Sequence, residues 1–173
     1  MKASTARTAS NQVPRKRLAA MARIWRRKGR RVVFTNGVFD IIHSGHVELL
    51  TKAKSWGDIL VVGINSDLST RRLKGASRPI NCQRDRARVL GTLKPVDFVC
   101  VFPEDTPLNL IKAIRPDVLV KGSEYTTGAI VGADEVKSWN GKVRRFRMKP
   151  GYSTSAIEQR ILGGSNSTPH HSR

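Results

Sequence analysis

Short apolar runs alternate with helical patterns along most of the chain. The apolar runs predict five strands, at residues 32–35, 59–64, 98–102, 118–120 and 143–146. The helical patterns cover residues 46–56, 84–93, 108–114 and 155–162, with shorter stretches near Leu68 and Val136. Strands that are apolar throughout and alternate with helices form parallel sheets covered on both faces. The pattern therefore predicts an α/β fold, a doubly wound parallel five-stranded sheet with helices on both faces, whose ligands bind beyond the carboxyl ends of the strands.

A basic amphipathic helix is predicted before the first strand, over residues 17–28, and Gly29 ends it. Four apolar residues recur there at helical spacing: Leu18, Met21, Ala22 and Trp25. Residues 1–14 lack periodicity, and residues 163–173 are rich in Gly, Ser, Asn and His, so both are expected to be flexible tails. We therefore expect one domain over residues 15–162.

The chain has 32 Lys and Arg against 13 Asp and Glu, a net charge of +19. Residues 1–31 hold 11 of these basic residues and no acid. Such a balance suits anionic partners: nucleotides, nucleic acid or an anionic membrane surface. No apolar stretch approaches the roughly 20 residues of a membrane span, and the N-terminus lacks a secretory-type run, so a cytoplasmic protein is expected. Cys82 and Cys100 show neither metal-ligand spacing nor a disulfide framework.

The segment after the first strand carries the first candidate chemistry. A glycine-containing turn at residues 36–40 is followed by a helix that begins near Ser44. His43 and His46, three residues apart at this helix start, point to the same side of its first turn. Free backbone N–H groups and the positive end of the helix dipole gather there, and Gly45 lets a ligand approach the backbone closely. This arrangement fits a phosphoryl oxygen that gains charge in a transition state.

Two motifs carry a family resemblance. The segments G-V-F-D at 37–40 and H-S-G-H at 43–46 together resemble the signature of the cytidylyltransferase-like nucleotidyltransferases. The segment G-Y-S-T-S-A-I at 151–157 resembles the I-S-T-S element of the same superfamily, with Tyr152 where isoleucine is usual. The resemblance implies that the two histidines stabilise the α-phosphate of a nucleoside triphosphate during an in-line attack, without a covalent enzyme intermediate. It also implies that the β- and γ-phosphates bind three hydroxyl residues: Ser153, Thr154 and Ser155.

Three further segments, at 69–81, 120–125 and 130–136, resemble the subfamily of D-glycero-D-manno-heptose 1-phosphate adenylyltransferases. The resemblance extends from about Arg31 to Leu162, with the motifs in the family's order. It implies transfer of AMP from ATP, with Mg²⁺, to a sugar 1-phosphate, giving ADP-heptose for the lipopolysaccharide inner core. Many relatives are fused behind a sugar-kinase domain, so this chain is expected to be a stand-alone form.

The family pattern also assigns roles to individual residues. The catalytic residues are expected to be His43, His46 and Lys74. The nucleotide-binding residues are expected to be Thr35, Asn36, Gly37, Phe39, Gly45, Arg78, Arg86, Gly122, Ser153, Thr154 and Ser155. The sugar phosphate is expected to contact Asn65, Asp67 and Glu124. Arg84 and Arg88 compete with Arg86 for the phosphates, and Asp40 is expected to orient His43, to take part in Mg²⁺ binding or to act as a structural cap.

Three other functions stay open. A cytidylyltransferase acting on glycerol 3-phosphate or another alcohol phosphate would share these motifs. A dinucleotide-binding oxidoreductase would need G-x-G-x-x-G after the first strand, and residues 35–40 do not supply it. A basic nucleic-acid-binding module fits the charge, but aromatic residues make up only 6% of the chain, and no specific nucleic acid is expected. Homo-oligomerisation through helix 17–28 is also open.

Overall fold

The computed structural model describes residues 11–122, 130–147 and 154–163. Twelve elements lie in these ranges: α1 (Arg15–Arg27), β1 (Val32–Gly37), α2 (Ser44–Lys54), β2 (Ile59–Asn65), α3 (Asp67–Lys74), α4 (Gln83–Thr92), β3 (Phe98–Phe102), α5 (Leu108–Ile114), β4 (Val118–Gly122), α6 (Ala133–Ser138), β5 (Lys142–Phe146) and α7 (Thr154–Leu162). No helix in the described part of the chain is both long and apolar enough to cross a membrane.

The five strands form one sheet in the order β3-β2-β1-β4-β5, and all neighbouring strands are parallel. The central strand β1 pairs Phe34 with Val61 of β2 and with Leu119 of β4. The doubly wound parallel sheet predicted from the sequence is therefore confirmed. Strands β2 and β3 lie on one side of β1, and β4 and β5 lie on the other side. The topological switch point is therefore between β1 and β4. Ligands of such sheets bind beyond the strand ends at this point.

Alternate residues of the central strands enter two cores, one on each face of the sheet. Phe34 and Val61 pack with residues of α1, α5 and α6, whereas Val33 and Leu60 pack with residues of α2 and α4. Both sides of these strands are thus buried, which explains why the strands are apolar throughout rather than alternating.

Helix α1 buries its apolar stripe within the chain. Leu18 is fully buried and Ala22 nearly so, and the Trp25 ring lies 5.0 Å from the Phe98 ring of β3, centroid to centroid. The helix predicted at 17–28 is therefore confirmed. The apolar face that could have served an oligomer interface is occupied by contacts with β3 and α5.

Residues 11–13, predicted to belong to a tail, run alongside β3 instead. The Val13 N–H donates to the Val99 carbonyl at 2.8 Å, and the Val99 N–H donates to the Asn11 carbonyl at 2.9 Å. Val13 is buried in the core. Residues 11–13 thus belong to the packed part of the fold, although three residues are too few to show a periodic pattern in the sequence.

Three aspartates lie where the strands begin, at the amino end of the sheet. Asp58, Asp97 and Asp117 directly precede β2, β3 and β4. Each accepts a hydrogen bond of 2.7 Å from a main-chain N–H of the neighbouring chain segment; the donors are Arg31, Leu60 and Val32, respectively. These carboxylates satisfy backbone groups at the sheet margin that would otherwise lack a partner in the sheet.

Candidate active site

A cavity of about 780 Å³ opens at the carboxyl end of the sheet, beside the switch point. It brings together twelve of the residues expected to form a site: Thr35, Asn36, Gly37, Phe39, Asp40, His43, His46, Asn65, Lys74, Arg78, Gly122 and Thr154. These residues come from β1 and the segment after it, from β2, α2, α3, β4 and α7, and from the segment between α3 and α4. The fold thus gathers at one place residues that are more than 100 positions apart in the sequence.

The two histidines form a stacked pair at the start of α2. Their ring centroids lie 3.8 Å apart with an angle of 28° between the planes, and the Phe39 ring lies 4.9 Å from that of His46. Burial lowers the pKa of His43, and burial together with the neighbouring His43 lowers the pKa of His46 to about 4. Neutral imidazoles act as hydrogen-bond donors without bringing a buried charge. In the described part of the chain, neither Nδ1 atom has a protein partner.

Asp40 is held by the segment that precedes α4. Its Oδ2 accepts hydrogen bonds from Arg78 Nη1 at 2.9 Å and from the Ile80 N–H at 2.8 Å, and its Oδ1 accepts one from the Asn81 N–H at 2.8 Å. Burial opposes ionisation, but these N–H groups and the Arg78 guanidinium outweigh it and lower the pKa of Asp40. The carboxylate is therefore ionised, and both oxygens are used within the protein.

The described residues include no cluster of side chains typical of a metal centre. Among residues 11–122, 130–147 and 154–163, no group of three or more His, Cys, Asp or Glu side chains could hold a cation. Of the three roles expected for Asp40, its hydrogen bonds to Arg78, Ile80 and Asn81 fit that of a structural cap. Mg²⁺ in phosphoryl-transfer sites often comes with the substrate phosphates, as part of the nucleotide substrate.

Two basic side chains of the cavity have different surroundings. Lys74 is the last residue of α3, is exposed, and makes no ion pair in the described part of the chain. Gly75 follows it with φ +98°, a conformation that favours glycine and ends the helix at this point. Arg78 is held by two carboxylates, Asp40 and Glu158 of α7, and its side chain is 14% exposed. Of these two side chains, Lys74 is thus the one without an ion pair among the described residues.

Arg86 and Asp67 lie outside the cavity lining, although both were expected to bind substrate. The Arg86 side chain is fully buried and donates to the Val38, Asn81 and Asn65 carbonyls and to Asp67 Oδ1. Gly45, within α2, is also absent from the lining. The family pattern placed Arg86 near the phosphates. Sequence spacing does not reveal that a charged side chain is buried among carbonyl groups.

Two of the remaining expected site residues, Ser153 and Glu124, lie outside the described residues, as does the side chain of Ser155. Asn65 reaches the cavity, but its amide nitrogen donates to Ser69 Oγ at 2.9 Å.

Several cavity residues were not assigned to the site from the sequence: Thr70, Ser77, Asp105, Thr106, Lys121 and Glu158. Lys121 lies in β4, and its Nζ donates to the Asn36 carbonyl at 3.4 Å. Asp105 and Thr106 follow β3. The rule that ligands bind at the carboxyl ends of parallel strands would have pointed to Asp105, Thr106 and Lys121.

The chain is similar to known proteins over most of its length. A family model described as cytidylyltransferase-like matches residues 34–160. The chain is 53% identical over 149 residues to the bifunctional protein HldE of Acidiphilium cryptum, covering 86% of this chain and 31% of that protein. It is 55% identical over 143 residues to the bifunctional protein HldE of Wolinella succinogenes, covering 83% and 29%. The chain thus spans less than a third of the length of these two curated relatives.

Two solved structures are similar in fold. One is described as the lipopolysaccharide core biosynthesis protein from Thermoplasma volcanium; it has a TM-score of 0.56 and 29% identity, and the match covers 70% of this chain and 98% of that chain. The other, a pantoate-beta-alanine ligase from Francisella tularensis, has a TM-score of 0.59 and 17% identity, covering 87% and 76%. The second likeness concerns the fold alone.

Proposed function

Because the chain belongs to the cytidylyltransferase-like family, a family of nucleotidyltransferases, we propose that it transfers AMP from ATP to D-glycero-D-manno-heptose 1-phosphate. The products are ADP-heptose, for the lipopolysaccharide inner core, and pyrophosphate. The observation that carries the proposal is the stacked, neutral pair of His43 and His46 in the switch-point cavity. The identity of about half to the HldE proteins, and the likeness to a lipopolysaccharide core biosynthesis protein, support the choice of a heptose.

The reaction is an in-line displacement at phosphorus. A phosphate oxygen of the sugar phosphate forms a bond to the ATP α-phosphorus, and the bond from that phosphorus to the bridging oxygen of the β-phosphate breaks. Pyrophosphate leaves with the electron pair and with Mg²⁺ as part of the substrate complex. Charge grows on the non-bridging oxygens of the α-phosphate, where His43 and His46 donate hydrogen bonds. Such preorganised donors, together with positioning, account for most of the acceleration in reactions of this kind.

The other cavity residues complete the proposed site. Lys74 neutralises the triphosphate as a mobile point charge, since it makes no ion pair in the described part of the chain. Thr154, at the start of α7, binds the departing pyrophosphate together with Ser153 and Ser155. Asn65 and Glu124 are proposed to contact the sugar phosphate. Arg78 holds the loop after β1 and helix α7 around the nucleotide through Asp40 and Glu158.

Pyrophosphate release in a grid of two nucleotides and two acceptors tests the proposal. ATP and CTP are each combined, with Mg²⁺, with the heptose 1-phosphate and with glycerol 3-phosphate. We expect release only with ATP and the heptose phosphate, and release that is slower by about a hundredfold or more from the His46→Ala variant in the same assay. Release with CTP and glycerol 3-phosphate would keep the mechanism and reject the heptose. No release from a folded protein that binds DNA in a salt-sensitive manner would favour a nucleic-acid-binding role instead.

A further inference from the structure

Phe39 adopts a backbone conformation that bulky residues rarely occupy. Its φ is +52°, in the left-handed region, although the residue is neither glycine nor asparagine. Its side chain is buried, and its ring packs against His46 at a centroid distance of 4.9 Å. A conformation of this kind persists only where the surrounding structure fixes it from several directions. The residues that fix the backbone before and after Phe39 therefore influence the position of the Phe39 ring against His46.

Hydrogen bonds fix the residues on both sides of Phe39. The preceding carbonyl, that of Val38, accepts a hydrogen bond from Arg86 Nη1 at 2.6 Å. The following residue, Asp40, accepts hydrogen bonds through its carboxylate as described above, and its own carbonyl accepts one from Asn81 Nδ2 at 2.7 Å. Phe39 thus lies between two anchored residues. The anchor at Val38 is the Arg86 side chain, which is charged and has no exposed surface.

The Arg86 guanidinium connects four segments around the cavity. Besides Val38, it donates to the Asn81 carbonyl at 2.9 Å, to the Asn65 carbonyl at 2.9 Å and to Asp67 Oδ1 at 2.7 Å. These acceptors lie in the loop before α4, at the end of β2 and at the start of α3. A buried guanidinium is tolerated only where its planar set of donors is matched by acceptors. The match is specific to arginine, because a lysine ammonium has three donors and no planar fork.

We infer that Arg86 is a positioning residue for the histidine pair: through the Val38 carbonyl it holds Phe39 in the left-handed conformation that places its ring against His46. The family resemblance implies a different role, in which Arg86 binds the triphosphate. The two roles predict opposite kinetics. A phosphate ligand would change the KM for ATP, whereas a positioning residue would change kcat through His46. The kinetic part of this inference rests on the proposed function.

The first test compares Arg86→Lys with Arg88→Lys. Arg88 was expected to compete with Arg86 for the phosphates, but it does not line the cavity; it lies on the same helix and is exposed, so it is the matched control. For Arg86→Lys we expect kcat to fall by about tenfold or more, with the KM for ATP within about twofold of wild type. Arg88→Lys should retain both values. A raised KM with an unchanged kcat would overturn the inference in favour of a phosphate ligand.

A double variant distinguishes positioning from a general loss of structure. If Arg86 acts through His46, Arg86→Lys should add almost nothing once His46→Ala has been introduced, so the double variant should be slower than His46→Ala by less than about twofold. A purely structural effect would multiply with the loss from His46→Ala. Multiplied losses would therefore overturn the inference.

The third readout needs no turnover. The ring signals of His46 in a proton–carbon NMR spectrum report its stacking on His43 and Phe39, and they can be assigned with single His→Gln variants. Arg86→Lys should move them, and Arg88→Lys should not.

If Arg86→Lys does not fold, Phe39→Leu, which keeps an apolar side chain but removes the ring, should show the same lowered kcat and the same lack of additivity with His46→Ala. Unmoved His46 signals and an unchanged kcat in a folded Arg86→Lys protein would overturn the inference. A wild type without turnover would instead refute the proposed function, while the NMR comparison would still test the positioning.

Discussion

The two ends of the sheet differ in how their polar side chains are hydrogen-bonded. At the amino end, the Asp58, Asp97 and Asp117 carboxylates each accept a main-chain N–H. At the carboxyl end lie all four buried side-chain atoms that have no hydrogen-bond partner in the described part of the chain: Asn36 Oδ1, His43 Nδ1, His46 Nδ1 and Glu104 Oε2. A buried unsatisfied polar group costs about 1–3 kcal/mol of stability. The fold thus concentrates this cost beside the cavity.

This difference separates residues that stabilise the fold from residues that perform the chemistry. Substitutions at the amino end should lower the free energy of unfolding and leave turnover unchanged. Substitutions of His43 and His46 at the carboxyl end should lower turnover and change the free energy of unfolding less, because the Nδ1 atoms of these residues make no hydrogen bond within the described residues. The predictions below test this separation, beginning with the largest effect.

The largest effect is expected for His46→Ala. Loss of one preorganised donor to a charge that develops in the transition state typically lowers kcat by about 10² to 10³-fold. The free energy of unfolding should change much less than kcat, because the Nδ1 atom has no hydrogen bond to lose within the described residues. Pyrophosphate release and urea unfolding of the same preparation measure the two quantities. A near-wild-type rate in the folded variant would remove His46 from the mechanism.

The next effect is a pH dependence of stability that originates at the carboxyl end. The pKa of His46 is lowered from 6.5 to about 4, so the unfolded chain binds more protons than the folded protein between these values. Stability from this group is therefore present above pH 6.5 and is lost as the pH falls towards 4, by at most about 3 kcal/mol. The lowered pKa of His43 acts in the same direction.

Urea unfolding at several pH values between 7 and 4.5, for wild type and His46→Gln, measures this dependence. The variant should lose less stability than wild type over the same interval, because glutamine does not titrate. Equal slopes for the two proteins would show that His46 is not kept neutral by its surroundings.

Much of the fold was predictable because it follows from local patterns. Strands β1 to β4 are largely apolar runs, and the longer helices repeat apolar residues at the helical period, so the sheet and its parallel direction could be inferred from neighbouring residues. The stacking of His43 and His46 also follows from a spacing of three at a helix start. These features depend on residues that are near one another in the sequence.

The details that shape the site depend on contacts between distant residues. Arg86 lies 48 positions from the Val38 carbonyl that it contacts, and no pattern in the sequence shows that a charged side chain on a helix is fully buried. The left-handed conformation of Phe39 likewise depends on hydrogen bonds to its two neighbours from segments 40 or more positions away. The sequence could therefore supply the members of the site but not which of them face the cavity.

The smallest effect is expected at the amino end, for Asp97→Ala. Asp97 accepts the Leu60 N–H at 2.7 Å and also pairs with Lys54, and its side chain is 24% exposed. Removing the carboxylate leaves a strand N–H without its acceptor, which should lower the free energy of unfolding by about 1–2 kcal/mol. The kcat should stay within about twofold of wild type, because the cavity lies at the other end of the strands. Asp134→Ala is the matched control, since its carboxylate is 96% exposed and pairs only with Lys137 at 3.7 Å among the described residues. A lowered kcat for Asp97→Ala without a loss of stability would show that the two ends of the sheet are coupled, and the separation would then fail.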